Sequence, residues 1–340
     1  MRNPTRQKYN AYLTRLAALN HVGSAIEKFN VDSSIQQTLE TKIQESSDFL
    51  TQVNNIGVTE QSGQKVGLGI GSTIASTTDT TAADRVPSDP TTLDGQGYFC
   101  AQTNFDTVVK YAKLDAWAKF PDFQVRLRDA ILRRQALDVM TIGFNGTSRA
   151  ATSDRDANPL LQDVNIGWLQ RIREDAPERR MVEVVGGSNA INVYAGGDYE
   201  NLDALVFDLV NELIDPWYRE DTNLVTILGR ALFADKYFPL INAPNPPTEK
   251  IAADLIVSQK RVGGLQAVRA PYFPPDALLI TRLDNLSRYY QEGARRRALI
   301  DNPKRDQIEN YESSNDAYVV EDYGLAALAE NINTAPPAGG

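Results

Sequence analysis

The sequence predicts an α+β protein whose compact part carries two outlying segments. Three observations lead there. Residues 122–144 and 198–214 repeat apolar side chains at helical spacing. Short strand-like runs divided by Gly, Pro and Asp turns fill the C-terminal half. The stretch 72–97 is almost entirely Ser, Thr, Asp, Ala, Pro and Gly, too poor in large apolar side chains to form a core. A length of 340 residues suits about two domains.

The elements follow in order. Residues 4–20 read as a helix with Tyr9, Leu13 and Leu16 on one side. Gly23 and Ser24 break it, and a short mixed segment ends at Phe29 and Asn30. A second helix begins at Ser33, with Gln36 three residues on completing a capping box. Ile35, Leu39 and Ile43 step by four along it, and Phe49 and Leu50 close it. Both helices are expected to lie outside the core, joined by a hinge. Val66, Leu68 and Ile70 then alternate with Lys65, Gly67, Gly69 and Gly71. Phe99, Ala101, Thr103, Phe105, Thr107, Val109 and Tyr111 share one parity, so two strands with one buried face each are predicted. Joined by the coreless tip, they make a long protruding β-ribbon.

A strong helix over 122–144 is stopped by Asn145 and Gly146. Phe123, Leu127, Ile131 and Leu137 mark one face and Val125, Leu132 and Val139 roughly the opposite one, so it should be sandwiched between two layers. Residues 147–197 are loop-rich apart from a short helix at Trp168 and Leu169. The helix over 198–214 presents Leu202, Leu205, Val206, Leu209, Val210 and Leu213, and Pro216 stops it. Strand-like runs at 224–228, 255–258, 267–270 and 278–280 follow, with a helix through Phe233 and Tyr237 and mixed strand and loop over 289–332. The tail 334–340 is expected to be disordered.

Ordinary catalysis lacks its parts. A Ser-His-Asp triad, a Cys-His pair or a His-rich metal site would each need His21, the one histidine, in an expected exposed loop. Cys100, the one cysteine, excludes an intramolecular disulfide and fits a reducing cytoplasm. The segment 67–73, GLGIGST, has neither the lysine of a phosphate loop nor the following helix of a dinucleotide fingerprint. Carboxylates such as Asp154, Asp156, Glu321 and Asp322 read as surface charge. No catalytic residue, cofactor or metal ligand is assigned. Neither a membrane span nor a secretory signal is expected, since no apolar run is long enough. A net charge of −9 argues against a duplex-binding domain. The basic residues Arg295, Arg296, Arg297, Lys304 and Arg305 read first as a solvated face or ion-pair partners, then as a subunit contact, and last as a DNA contact.

Motifs spread over nearly the whole chain resemble one family. They include MRNPTRQKYNAYLTRLAALN at the N-terminus, LDAWAKFPDFQVRLRDAI, TSDRDANPLLQDVNIGWLQ, GGDYENLDALV, VRAPYFPPDALLIT and ENYESSNDAYVVEDY. The sequence is similar to the major capsid proteins of P-two-like tailed phages, least so at 181–195 and in the tail. The resemblance implies the Hong Kong 97 phage capsid fold. Residues 1–54 would form an N-terminal arm, 55–112 the extended loop, 113–200 and 289–332 a peripheral domain with a long spine helix, 201–288 an axial domain, and 333–340 a tail.

It further implies a self-assembling subunit, not an enzyme, whose pentamers and hexamers close an icosahedral head around double-stranded DNA. The implied partners are a scaffolding protein, a maturation protease, a portal protein at one vertex, DNA held non-specifically on the inner face, and decoration proteins in some cases. Assembly in the bacterial cytoplasm and a place in the virion are implied too. Related arms are trimmed by the protease, and by that pattern the cut falls near Phe29 and Asn30, removing about residues 1–30. Lys65, Val66, Leu68, Ile70 and Phe99 of the ribbon are the expected inter-subunit contacts. Two rival classes remain: an encapsulin-type nanocompartment shell, which would keep its arm, and a soluble enzyme or nucleotide-binding domain. The resemblance runs through the arm itself, which favours the phage shell.

Overall fold

The computed structural model describes residues 1–65, 75–87, 97–117, 123–233, 236 and 260–335. The expected strand at 255–258, Tyr237, the glycine-rich segment 67–73 and the tail beyond residue 335 lie outside them. Helices α1 (Asn3–Leu19) and α2 (Ser33–Glu45) flank a two-residue strand, β1 (Phe29–Asn30). Strands β2 (Asn54–Val58) and β3 (Ser62–Gln64) lead into the ribbon, and β4 (Gly97–Phe99), β5 (Ala101–Asn104) and β6 (Thr107–Lys110) lead out of it. Helices α3 (Tyr111–Trp117), α4 (Phe123–Asn145) and α5 (Trp168–Asp175) follow. Next come β7 (Arg180–Met181), β8 (Ile191–Asn192), α6 (Leu202–Leu213) and β9 (Val225–Leu228). The last third supplies β10 (Arg261–Val262), β11 (Leu265–Val268), β12 (Leu278–Thr281), β13 (Leu286–Gln291), β14 (Arg296–Asn302), β15 (Gln307–Val320), β16 (Ala327–Ala329) and β17 (Ile332–Asn333).

The chain forms two compact units, one of Met1–Ser62, Phe99–Trp168 and Ser287–Val319, the other of Gly63–Tyr98, Leu169–Leu286 and Val320–Gly340. The division falls at Trp168, not near residue 200. Residues 320–332, expected with the peripheral domain, fall in the second unit because β16 pairs with β12 and β7 there.

The first unit is built on a sheet ordered β1-β14-β15-β13-β2, with β5 and β6 also on β15. The long α4 enters this unit at its C-terminal end. Leu132, Ala136, Val139, Met140, Ile142 and Phe144 are buried, whereas Val125 near its start is 47 % exposed. Among the described side chains of the helix, the buried ones lie in its second half. Trp168 centres the core, its ring 5.3 Å from those of both Phe144 and Tyr318, and its indole N–H donates to the Ser287 carbonyl at 2.8 Å. A Cβ on Gly143 would come within 2.3 Å of that indole, so a glycine there lets the helix approach it.

The predicted parity holds from Ala101 to Val109, with odd residues turned inward. It breaks at Cys100 and Ala101, both buried, so Phe99 points outward, and Tyr111 belongs to α3.

The second unit packs α6 on a sheet ordered β10-β11-β9-β12-β16-β7. Leu202, Leu205, Val206 and Leu209 meet Leu224, Leu278, Ile280 and Ala327, as the helical spacing foretold. The helix starts at Leu202, later than expected. Asn201 caps it, its side-chain oxygen accepting from the Ala204 N–H at 3.0 Å, while the Asp198 carboxylate accepts from the Asn192 N–H instead.

Candidate functional site

The N-terminal segment is not outside the core. α1 has Pro4 in its first turn, where the missing N–H costs nothing, and lies on the first unit with Tyr9, Tyr12, Leu13 and Leu16 against Tyr111, Leu114, Leu299 and Ile308. Its polar ties are peripheral. The Arg2 N–H donates to Asp115 at 3.0 Å, Arg6 pairs with Asp301, and Arg297 donates to the Tyr12 hydroxyl at 3.3 Å. A cavity of about 100 Å³ remains beneath the helix, lined in part by Tyr9, Tyr12, Val109 and Leu299. The buried Tyr9 hydroxyl has no hydrogen-bond partner, and burial pushes its pKa up to about 12.

Phe29 and Asn30, the expected cleavage position, form β1, antiparallel to β14 with Phe29 opposite Arg297 and Asn30 opposite Arg296. Phe29 is buried with Ala17, Ala25 and Val31. His21, by contrast, is exposed in a turn with a φ of 54°.

α2 starts where expected but not by the expected means. Asp32 is the cap, its carboxylate accepting from the Ser34 N–H at 2.9 Å. Gln36 does not reach back to close a capping box. It is buried, donating to the Gln291 carbonyl and accepting from the Gly293 N–H at 2.8 Å. One turn on, Glu40 is 1 % exposed and bound by two guanidiniums, Arg288 at 2.5 Å and Arg295 at 2.6 Å. Arg288 also holds Asp316 at 2.6 Å, and Arg295 holds Glu312 at 2.6 Å and the Gln135 side chain at 3.0 Å. Burial opposes the charge of Glu40, but Arg288 and Arg295 overcome it and keep its carboxyl below the usual range. Glu312 is likewise held low against burial by Arg295 and Arg297. At Asp316 burial wins over Arg288, and its pKa is raised.

This lattice was missed by a reading that took carboxylates as surface charge. Its sequence signal was that Gln36 and Glu40 lie beside Ile35 and Leu39, on the stripe that Ile43 continues. The basic run resolves into parts: Arg295 is an internal ion-pair partner, while Lys304 and Arg305 are exposed.

At the ribbon root, Lys65 is buried. Its ammonium donates to the carbonyls of Val320 at 2.7 Å and Glu321 at 3.2 Å and sits 4.3 Å from the centre of the Tyr323 ring. Phe99 is 54 % exposed. Val66, Leu68 and Ile70 lie outside the described residues. Residues 75–87 of the tip are all exposed. Among the described residues, the tip's hydrogen bonds stay local, as from Asp79 to Thr81. No group of His, Cys, Asp and Glu among the described residues is placed to hold a metal ion, and no described helix is long and apolar enough to cross a membrane.

Comparison with known proteins gives a consistent answer. Residues 8–332 match the family described as phage major capsid protein, P2 family. The chain is 53 % identical over 340 residues to the capsid proteins of Escherichia phage P2, covering 98 % of this chain and 95 % of that one. It is 42 % identical to the major capsid protein of Serratia phage KSP20 over the whole of both. Among solved structures, the satellite phage P4 procapsid including size determination (Sid) protein superposes with a TM-score of 0.83 at 50 % identity, covering 98 % of this chain and 99 % of that one. The capsid of an empty GTA particle, at 16 % identity and a TM-score of 0.52 over 85 % of this chain and 90 % of that one, shares the fold.

Proposed function

The chain belongs to the P2 family of phage major capsid proteins, and from that premise we propose how its parts serve the shell. It is a structural, self-assembling subunit of the phage head, not an enzyme, and its fold is the tailed-phage capsid fold. The family match runs from residue 8, through the arm, which sets the encapsulin-type alternative aside.

In the proposed scheme the ribbon is an assembly contact, and the observation that carries it is the tip. Its described residues are exposed throughout and bond only among themselves, so they contribute nothing to a core of their own. A shell made of many copies offers such a segment buried area that a single subunit cannot. Phe99 remains a contact residue in this scheme, with Val66, Leu68 and Ile70, and Lys65 becomes the anchor that sets the ribbon root. Deleting residues 73–95 is expected to leave a folded subunit that forms no closed particles by electron microscopy. Closed shells from the deletion variant would overturn the assignment.

Residues 1–30 are the proposed maturation segment, cut near Phe29 and Asn30. Because β1 is paired to β14 and Phe29 is buried, the protease must act on a state in which β1 has left the sheet. Intact mass measured on protein from mature particles should lack this segment, and Met1 retained there would refute it. The scheme includes a scaffolding or size-determining protein, the protease, a portal protein at one vertex, DNA lying non-specifically on the inner face, decoration proteins, and assembly as pentamers and hexamers in the host cytoplasm.

A further inference from the structure

The cavity beneath α1 draws its walls from two parts of the first unit. Lys8, Tyr9 and Tyr12 come from the helix, and Val109, Leu114 and Leu299 from β6, α3 and β14. The walls are largely apolar, and the charged residues among them carry one sign. Lys8, Arg128 and Arg297 line the cavity, and among the described residues no Asp or Glu does. Arg128 is taken up by Asp129 at 2.8 Å. Arg297 is placed differently. It is half-buried, and both groups it donates to, the Asn310 side-chain oxygen at 2.7 Å and the Tyr12 hydroxyl at 3.3 Å, are neutral. Its cross-strand neighbour Glu312 is held at 2.6 Å by Arg295 instead. Among the described residues the Arg297 charge therefore has no bonded counter-ion.

Tyr9 adds a second unanswered group. Its hydroxyl is buried without a partner, and with its pKa pushed up to about 12 it keeps its proton at neutral pH and can donate it to an acceptor. Size limits what could lie beside these groups. An apolar cavity of about 150 Å³ takes the six carbons of benzene, so one of about 100 Å³ takes a chain of about four. Apolar walls, a guanidinium bonded only to neutral groups and a free O–H donor together describe one chemistry: a short hydrocarbon chain with an anionic oxygen head.

We propose that the cavity beneath α1 is a binding site for a short-chain aliphatic carboxylate, its chain against Val109, Leu114 and Leu299 and its carboxylate accepting from Arg297 and Tyr9. Helix and body each supply part of the lining, so such a ligand binds only while α1 is docked. It therefore holds the arm down by mass action, in proportion to its concentration over its dissociation constant. Burying about four methylene groups beside one charge-assisted hydrogen bond sets that constant at about 1 mM. The consequence for maturation rests on the arm being cut as proposed above: a bound ligand would delay the cut, and the cut would abolish the site.

Pentanoate is the probe, added to the full-length unassembled subunit and read by saturation-transfer NMR and by limited trypsin digestion of the arm. It should receive saturation along its chain with a dissociation constant of about 1 mM, and at about 10 mM it should slow digestion of the arm about tenfold. Pentan-1-ol, which has the chain without the charge, should bind at least about tenfold more weakly. Acetate, which has the charge without the chain, should give neither signal. Arg297→Gln should weaken pentanoate at least about tenfold and leave pentan-1-ol unchanged, which also reports that the cavity has survived the substitution. Tyr9→Phe should weaken pentanoate about threefold. Pentanoate that neither receives saturation nor protects the arm overturns the site, and acetate binding as well as pentanoate reduces it to an adventitious ion only. Unchanged pentanoate affinity in an Arg297→Gln subunit that still binds pentan-1-ol overturns it too. If that variant loses pentan-1-ol as well, Tyr9→Phe decides, and full pentanoate affinity there sinks the assignment. Met1 retained in mature particles would instead remove the maturation reading and leave the site standing, because the probe is read on the uncut subunit.

Discussion

The two helices of the arm are held to the first unit in opposite ways. α1 lies on the surface over an imperfectly filled space, tied at its rim by partly exposed ion pairs, with a buried hydroxyl left unpartnered. α2 is locked by Glu40 into a lattice of five buried charges, where each carboxylate has a guanidinium within 2.6 Å. Such a lattice adds little net stability when complete, but is costly to break, because removing one member strands a buried charge. The segment proposed to be cut away and the one proposed to remain thus differ in the chemistry of their undersides.

The largest expected effect breaks the strong side. Glu40→Ala leaves Arg288 and Arg295 sharing too few carboxylates and should cost about 3–5 kcal/mol in urea unfolding of the unassembled subunit. A loss near zero would show that the lattice does not hold α2.

Acid should act in the same place. Glu40 and Glu312 have folded-state pKa values below their ordinary 4.5, so their contribution is present above that value and lost as pH falls through the folded ones. Asp316 lies above its ordinary 3.8, so its contribution runs the other way, full below that value and lost as pH rises. The urea midpoint should therefore fall as pH drops below about 4.5, where Glu40 and Glu312 lose their contribution. Asp316→Asn removes the opposing contribution and should steepen that fall; a shallower one would contradict the assignment.

The weak side should yield smaller numbers. Arg6→Ala is expected to cost less than about 1 kcal/mol, since its side chain is 40 % exposed and its pair with Asp301 is screened. Limited proteolysis of the arm should register it even where a melt does not. Tyr9→Phe, the smallest change, should be neutral or stabilising by about 0.5 kcal/mol, because the lost hydroxyl had no partner to lose. A clear destabilisation would reveal a bond that α1 makes there.

What the sequence disclosed followed the periodicity of apolar residues. α6 showed its core face because Leu202, Leu205, Val206 and Leu209 obey helical spacing. α1 was likewise placed to within a residue, and α2 at its start, though it ends at Glu45, short of Phe49 and Leu50. The docking of these helices was illegible, because α2's anchoring residues are Gln36 and Glu40, types that composition assigns to solvent. Their partners, Gln291 and Gly293 for Gln36 and Arg288 and Arg295 for Glu40, lie about 250 positions away and reach them only through the fold. The burial of the ribbon root was illegible for a similar reason. Lys65 looked like the exposed alternate of a strand, but carbonyls at 320 and 321 draw its ammonium inward. Phe99 shared a parity with Ala101 that two consecutive buried residues interrupt.

Those two residues include Cys100, the chain's single thiol, with no exposed surface. Burial pushes its pKa up to about 12, and Asp316 adds to the shift. A thiol so placed is almost wholly un-ionised at neutral pH and beyond the reach of an alkylating reagent until the sheet around it opens. The natural protein therefore carries its own stopwatch. The rate at which iodoacetamide labels Cys100 times the opening of the first unit, in free subunits and in finished particles alike, without an engineered probe.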